Sequence, residues 1–197
     1  GFLVFVVCGG TNLGTNPPPP DPQKVDDIIN SAWVQYEAGN YNAAISLFNQ
    51  ALGLDSSVLD IYNGLGWSYF QTHSLINSLA NHSIAIGSDS SFADAMVGFS
   101  VSAFERNEYD LAINAIITIA RIDTAGFDIQ GTDDYIFEHD RAVTARKVRK
   151  ILALCYFYSG NFTESFNQLD TFLDPATKVD PGSETFINDL FKALEEI

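Results

Sequence analysis

A 34-residue period runs through most of this chain. Asp55, Asp89 and Asp123 fall 34 apart, as do Trp33 and Trp67, the series Tyr36, Phe70 and Phe104, and the acids Asp26, Asp60 and Asp94. Self-similarity at that spacing is the mark of stacked helix-turn-helix units, because each unit leaves an apolar face that only its neighbour can cover. The spacing therefore predicts an all-α solenoid.

Within the period, Tyr62, Leu65, Gly66 and Tyr69 stand in order in the second unit, and Gly39, Tyr41, Ala44, Phe48 and Ala51 in the first. The third carries Asn107, Tyr109, Ala112 and Ile116. A fourth, displaced by a 19-residue insertion, carries Leu152, Ala153, Tyr156, Gly160, Phe162 and Phe166. This skeleton resembles the tetratricopeptide repeat (TPR). Three such units are expected over residues 25–126, an insertion over 127–145, a fourth unit over 146–179 and a capping helix in 180–197, around Glu184 to Ile197. The usual closing proline is replaced by Ser56, Ser90 and Thr124, whose side-chain oxygens can cap a following helix. In the second unit, His73 and Ser78 replace the usual Gly and Ala, which predicts looser packing of that unit's second helix.

The resemblance implies that the first helix of each unit lines a concave surface. Trp33, Tyr36, Trp67, Phe70, Val101, Phe104, Leu154 and Phe157 then form an aromatic stripe. Either the stripe fills a tightly wound core, or it is a groove that receives an extended apolar ligand.

The chain supplies such a ligand. Residues 1–10 form an apolar arm in which Phe2, Leu3, Val4, Phe5, Val6 and Val7 read as strand-like material. A Gly/Pro-rich spacer follows over 11–24, with four prolines, Pro17 to Pro20, that favour a stiff polyproline II segment. Eight extended residues span roughly 26 Å, the scale of three or four stacked units. An arm docked on a neighbour makes a heterologous contact that does not close, which yields a filament. Cys8, within the arm, offers a covalent link to another chain, a lipidation site or no role at all. Val-Val-Cys-Gly resembles a lipoprotein box only loosely, because Val7 is not small. Cys155 falls at a small-residue position between helices and reads as a buried, inert thiol.

Charge narrows the partners. Twenty-five acidic against ten basic residues give a net of −15, which opposes nucleic acid and anionic lipid. Arg141, Arg146, Lys147, Arg149 and Lys150 make one end locally positive, suited either to an acidic neighbour or to a solvated helix face. No catalytic constellation is present. His73, His82 and His139 lack metal-ligand spacing and read as surface or cap residues. Asp128, Asp133, Asp134, Glu138 and Asp140 crowd the insertion without the order of an EF-hand, and read as an acidic, solvated loop. Asn81 and Asn161 both match the glycosylation acceptor pattern.

The sequence thus leads to a non-enzymatic protein without cofactor, metal or direct membrane span. It is expected at the cell surface or outside the cell, as a homopolymer with glycans as an accessory. The alternative is a monomeric surface or periplasmic lipoprotein that binds another protein or peptide in its groove.

Overall fold

The computed structural model describes residues 21–121, 135–169 and 179–196. The arm Phe2 to Val7, Cys8, Thr124, and Asp128, Asp133 and Asp134 of the insertion lie outside these residues. The described residues form nine helices: α1 (Pro22–Glu37), α2 (Tyr41–Leu54), α3 (Leu59–Gln71), α4 (Leu75–Ser88), α5 (Ala93–Glu105), α6 (Tyr109–Ile119), α7 (Ala145–Tyr158), α8 (Phe162–Leu169) and α9 (Phe186–Glu196).

Helix α1 starts at Pro22, inside the stretch expected as spacer. Asp21 accepts from Gln23 N at 3.1 Å and Pro22 occupies the first turn, where its missing N–H costs nothing. Each helix pair then turns in the same way. Gly39, His73, Asn107 and Gly160 adopt φ of 78°, 56°, 61° and 78°. In each turn the positive-φ residue bonds back to the carbonyl three residues earlier, and the next N–H to the carbonyl five earlier, as in Ser74 N to Tyr69 O at 2.8 Å. His73 therefore has the cap role expected of it, in a backbone region that suits glycine better.

First helices α1, α3, α5 and α7 touch one another in succession, whereas α2, α4 and α6 touch only first helices. The first helices accordingly line the inner curve, as the repeat resemblance implies. Helix α9 packs on α7 and α8 and closes the C-terminal end with Leu190, Ala193 and Leu194 against Ala153 and Leu169.

Two sequence expectations are corrected here. Ser56 and Ser90 do not cap the following helices, whose N-caps are Val58 and Phe92, without a side-chain bond. Asp55 and Asp89 organise those turns instead, each accepting from the N–H (2.8 Å) and the hydroxyl (2.6 Å) of the serine two residues on. These bonds hold both carboxyls below the usual range. The second unit is also not loosely packed. Ser78, at the Ala44 and Ala112 position, donates to Gly66 O at 2.8 Å and lies 2.8 Å from the Ser102 hydroxyl.

His82 is the reason for that close fit. It occupies the position of Phe48 and Ile116 in the neighbouring units and is fully buried, not a surface residue. Its ring sits between Gly66 and Gly98: a Cβ at either would lie 2.4 or 2.3 Å from Nε2. Both glycines exist for this approach rather than for a turn. Burial pushes the His82 pKa down to about 3, so the ring is neutral in the folded chain.

Two predictions follow from this layer. Gly66→Ala should destabilise by about 1–3 kcal/mol in thermal or urea unfolding, because the rigid ring has nowhere to go. Below pH ~6.5 an unfolded His binds a proton that the folded one refuses, so stability should fall with acidification by up to ~1.4 kcal/mol per pH unit. His82→Phe should flatten that slope between pH 6.5 and the carboxylate range, where Asp55 and Asp89 begin to act in the same direction.

Candidate functional site

The inner face of α1 and α3 carries Trp33, Tyr36 and Trp67, and all three are buried. They are covered by the chain's own insertion. Residues 135–144 fold into a short antiparallel loop, paired at Ile136 and Thr144, with Phe137 N donating to Val143 O at 3.0 Å and Ala145 N to Tyr135 O at 3.0 Å. Thr144 then caps α7 through Lys147 N.

Alternation along this strap sends Tyr135, Phe137 and His139 inward and leaves Ile136 55% exposed. Phe137 is fully buried. Its ring stacks on Trp67 at 4.5 Å and 19°, and meets Trp33 and Tyr36 edge-on at 6.0 and 6.4 Å. His139 lies flat on Trp33, with centroids 3.7 Å apart and planes 3° from parallel.

Polar groups pin the inward residues on either side of Phe137. The Tyr135 hydroxyl donates to Asp94 Oδ1 at 2.7 Å, and His139 Nδ1 lies 2.8 Å from Glu37 Oε1. Trp33 Nε1 donates to Asp60 Oδ2 at 2.8 Å. Asp60 and Asp94 are successive members of the acidic 34-residue series, so two of its three members belong to the groove, while Asp26 is exposed. Burial raises the Asp94 pKa, opposed by the Tyr135 hydrogen bond, and burial beside Asp94 raises that of Tyr135. Trp67 Nε1 and Asn63 Oδ1, one turn apart on α3, are buried without a hydrogen-bond partner among the described residues.

The rest of the stripe is divided. Phe70 packs edge-on against Trp67 at 6.0 Å, and Phe70, Val101 and Phe104 are half-buried. Leu154 and Phe157 pack toward α9, with Phe157 5.5 Å from Phe191. The stripe is therefore not one open groove: the strap fills its N-terminal half and the cap helix borders its C-terminal end. Sequence reasoning placed the aromatic stripe on the inner face but missed that Tyr135, Phe137 and His139 cover it. Their spacing of two, in a segment of acidic character, was the available signal.

The remaining candidates lie elsewhere. Asn81 is in α4, its amide donating to Asn77 O at 2.8 Å, and Asn161 is exposed just before α8. Cys155 is buried and its thiol pushed up to about 12 by burial. In the basic cluster Arg149 is buried, while Arg141, Arg146 and Lys147 are exposed and Lys150 is half-buried. Among the described residues no three of His, Cys, Asp or Glu gather as metal ligands, and no helix is long and apolar enough to cross a membrane.

No family model and no curated protein matches this sequence. Solved structures do. A MamA structure labelled AMB-1 superposes with a TM-score of 0.64 at 16% identity, covering 88% of this chain and 98% of that one. Another MamA structure gives 0.61 at 19% identity over 76% and 72% of the two chains. A tetratricopeptide repeat protein from Parabacteroides merdae gives 0.61 at 14% identity, with 88% of this chain covering 60% of that one. The chain has a TPR-like fold. At these identities the likeness is one of fold alone.

Truncating Phe137 tests the strap. Such a change in a rigid core costs about 3–5 kcal/mol, but local release of residues 135–144 should hold the loss below that. Phe137→Ala should keep its helical circular dichroism while the emission of Trp33 and Trp67 shifts to the red; unchanged emission would contradict the stacking.

Proposed function

We propose that this chain is a non-enzymatic protein-interaction scaffold that assembles with copies of itself, the apolar arm of one subunit docking on the next. The observation that carries the interaction reading is the occupied groove. An extended segment with large side chains at alternate positions lies across α1 and α3 and reaches α5 through Asp94. A surface that takes such a segment from its own chain has the shape and chemistry to take one from another.

Self-assembly is supported by the sequence of the arm and by the heterologous geometry it implies, which makes an open filament the expected product. The exposed cations Arg141, Arg146 and Lys147, on a chain of net charge −15, suit a head-to-tail contact. We place the assembly at the cell surface or outside the cell. Exposed Asn161 is the better glycan acceptor there, since Asn81 would have to give up its bond within α4.

A second reading is a monomeric surface or periplasmic protein that offers the groove to another protein's segment. Trp67 Nε1 and Asn63 Oδ1, which lack a partner among the described residues, are open to it as well, because any incoming backbone could satisfy both.

Negative-stain electron microscopy of the native, unreduced protein beside a form lacking residues 1–8 separates the two. Fibres that vanish with the arm support assembly. Monodisperse particles from both forms favour the second reading.

A further inference from the structure

We propose that the strap, residues 135–144, is a built-in competitor that guards the aromatic slot, and that the segment displacing it is the apolar arm, residues 2–7, of a second copy. The inference rests on the self-assembly reading above and adds the receptor and its control.

Spacing is the first argument. The slot takes three inward side chains two residues apart, Tyr135, Phe137 and His139, with a phenylalanine at the centre against Trp67. Leu3, Phe5 and Val7 reproduce that spacing, again with a central phenylalanine. In extended form they share one face, as the strap residues do. Residues 1–20 carry no charged side chain, so nothing in the arm opposes entry into an aromatic slot.

The way the strap is held is the second. Tyr135 ties it to Asp94 and His139 ties it to Glu37, whose carboxylate is half exposed. Yet Trp67 Nε1, on the indole that Phe137 stacks against, stays buried without a hydrogen-bond partner among the described residues. An incoming backbone brings carbonyl acceptors that the strap does not offer at this point. A plug tied at its edges and incomplete at its centre is displaceable, and its displacement uncovers the same surface that it covered.

Weakening the pins in the full chain tests this. Tyr135→Phe removes one hydrogen bond and keeps the ring; His139→Ala removes the other pin and the stack. Sedimentation velocity over a concentration series gives the association constant, and intrinsic emission gives the state of the slot, since both tryptophans of the chain lie under the strap. Each variant should raise self-association about tenfold, the loss expected for a hydrogen bond to a charged group. The gain should disappear when residues 1–8 are removed, and so should the emission change of Tyr135→Phe, which leaves the His139 stack on Trp33 in place. Arm-dependent association that neither variant alters would overturn the guarded-slot inference and leave the self-assembly reading standing. Absence of arm-dependent association in every form would sink both. An arm-dependent emission change at monomer mass would mean that the arm fills its own groove, which overturns the second-copy assignment. Circular dichroism confirms that the variants compared are folded, and Tyr135→Phe, which loses a single oxygen, decides if His139→Ala is not.

Discussion

A pair of α-helices joined by a three-residue turn cannot bury both of its broad faces, and each unit of this chain depends on the next to cover what it leaves open. That constraint sets the 34-residue period and places α1, α3 and α5 side by side on the inner curve. It also tolerates exchange of chemistry at fixed positions. Phe48, His82 and Ile116 fill equivalent spaces between helices, and the histidine fits because glycines at 66 and 98 withdraw from its ring. The fit is close enough that a polar side chain does the work of an apolar one.

The inner curve presents the same problem on a larger scale. Stacking brings Trp33, Tyr36 and Trp67 together as a surface too apolar to leave to water, and the chain resolves it from within. The insertion between the third and fourth units returns across the curve, lays Phe137 on Trp67 and His139 on Trp33, and hands over to α7 through the Thr144 cap. At the other end α9 performs the equivalent task against Phe157. A solenoid of four units is thus completed at both ends of its inner face by non-repeat segments, and this gives a repetitive scaffold a defined slot.

Much of this was legible in the sequence because periodicity is a local and additive signal. The turn positions Gly39, His73, Asn107 and Gly160 and the inner-face aromatics follow from alignment of the units alone. What escaped has a common physical cause: it depends on contacts between segments far apart in the chain. The period did align His82 with the core positions Phe48 and Ile116, but the residue type reads as polar until Gly66 and Gly98 are seen on either side of its ring. The strap escaped for the same reason. Glu138, Asp140 and the acids before them give the insertion a solvated composition, and only the three-dimensional arrangement shows that alternate residues leave that solvent for the aromatic slot. The acidic series was visible as a repeat, but its partners, Trp33 for Asp60 and Tyr135 for Asp94, were not.

The central claim is that the chain's own strap occupies the aromatic slot, and nuclear Overhauser contacts of the Phe137 ring test it most directly. At a centroid separation of 4.5 Å, protons of Phe137 should give strong cross-peaks to the indole of Trp67 and weaker ones to Trp33. A Phe137 ring that shows no contact to either indole, in a segment whose backbone relaxes like a free loop, would contradict the account and return the inner face to solvent.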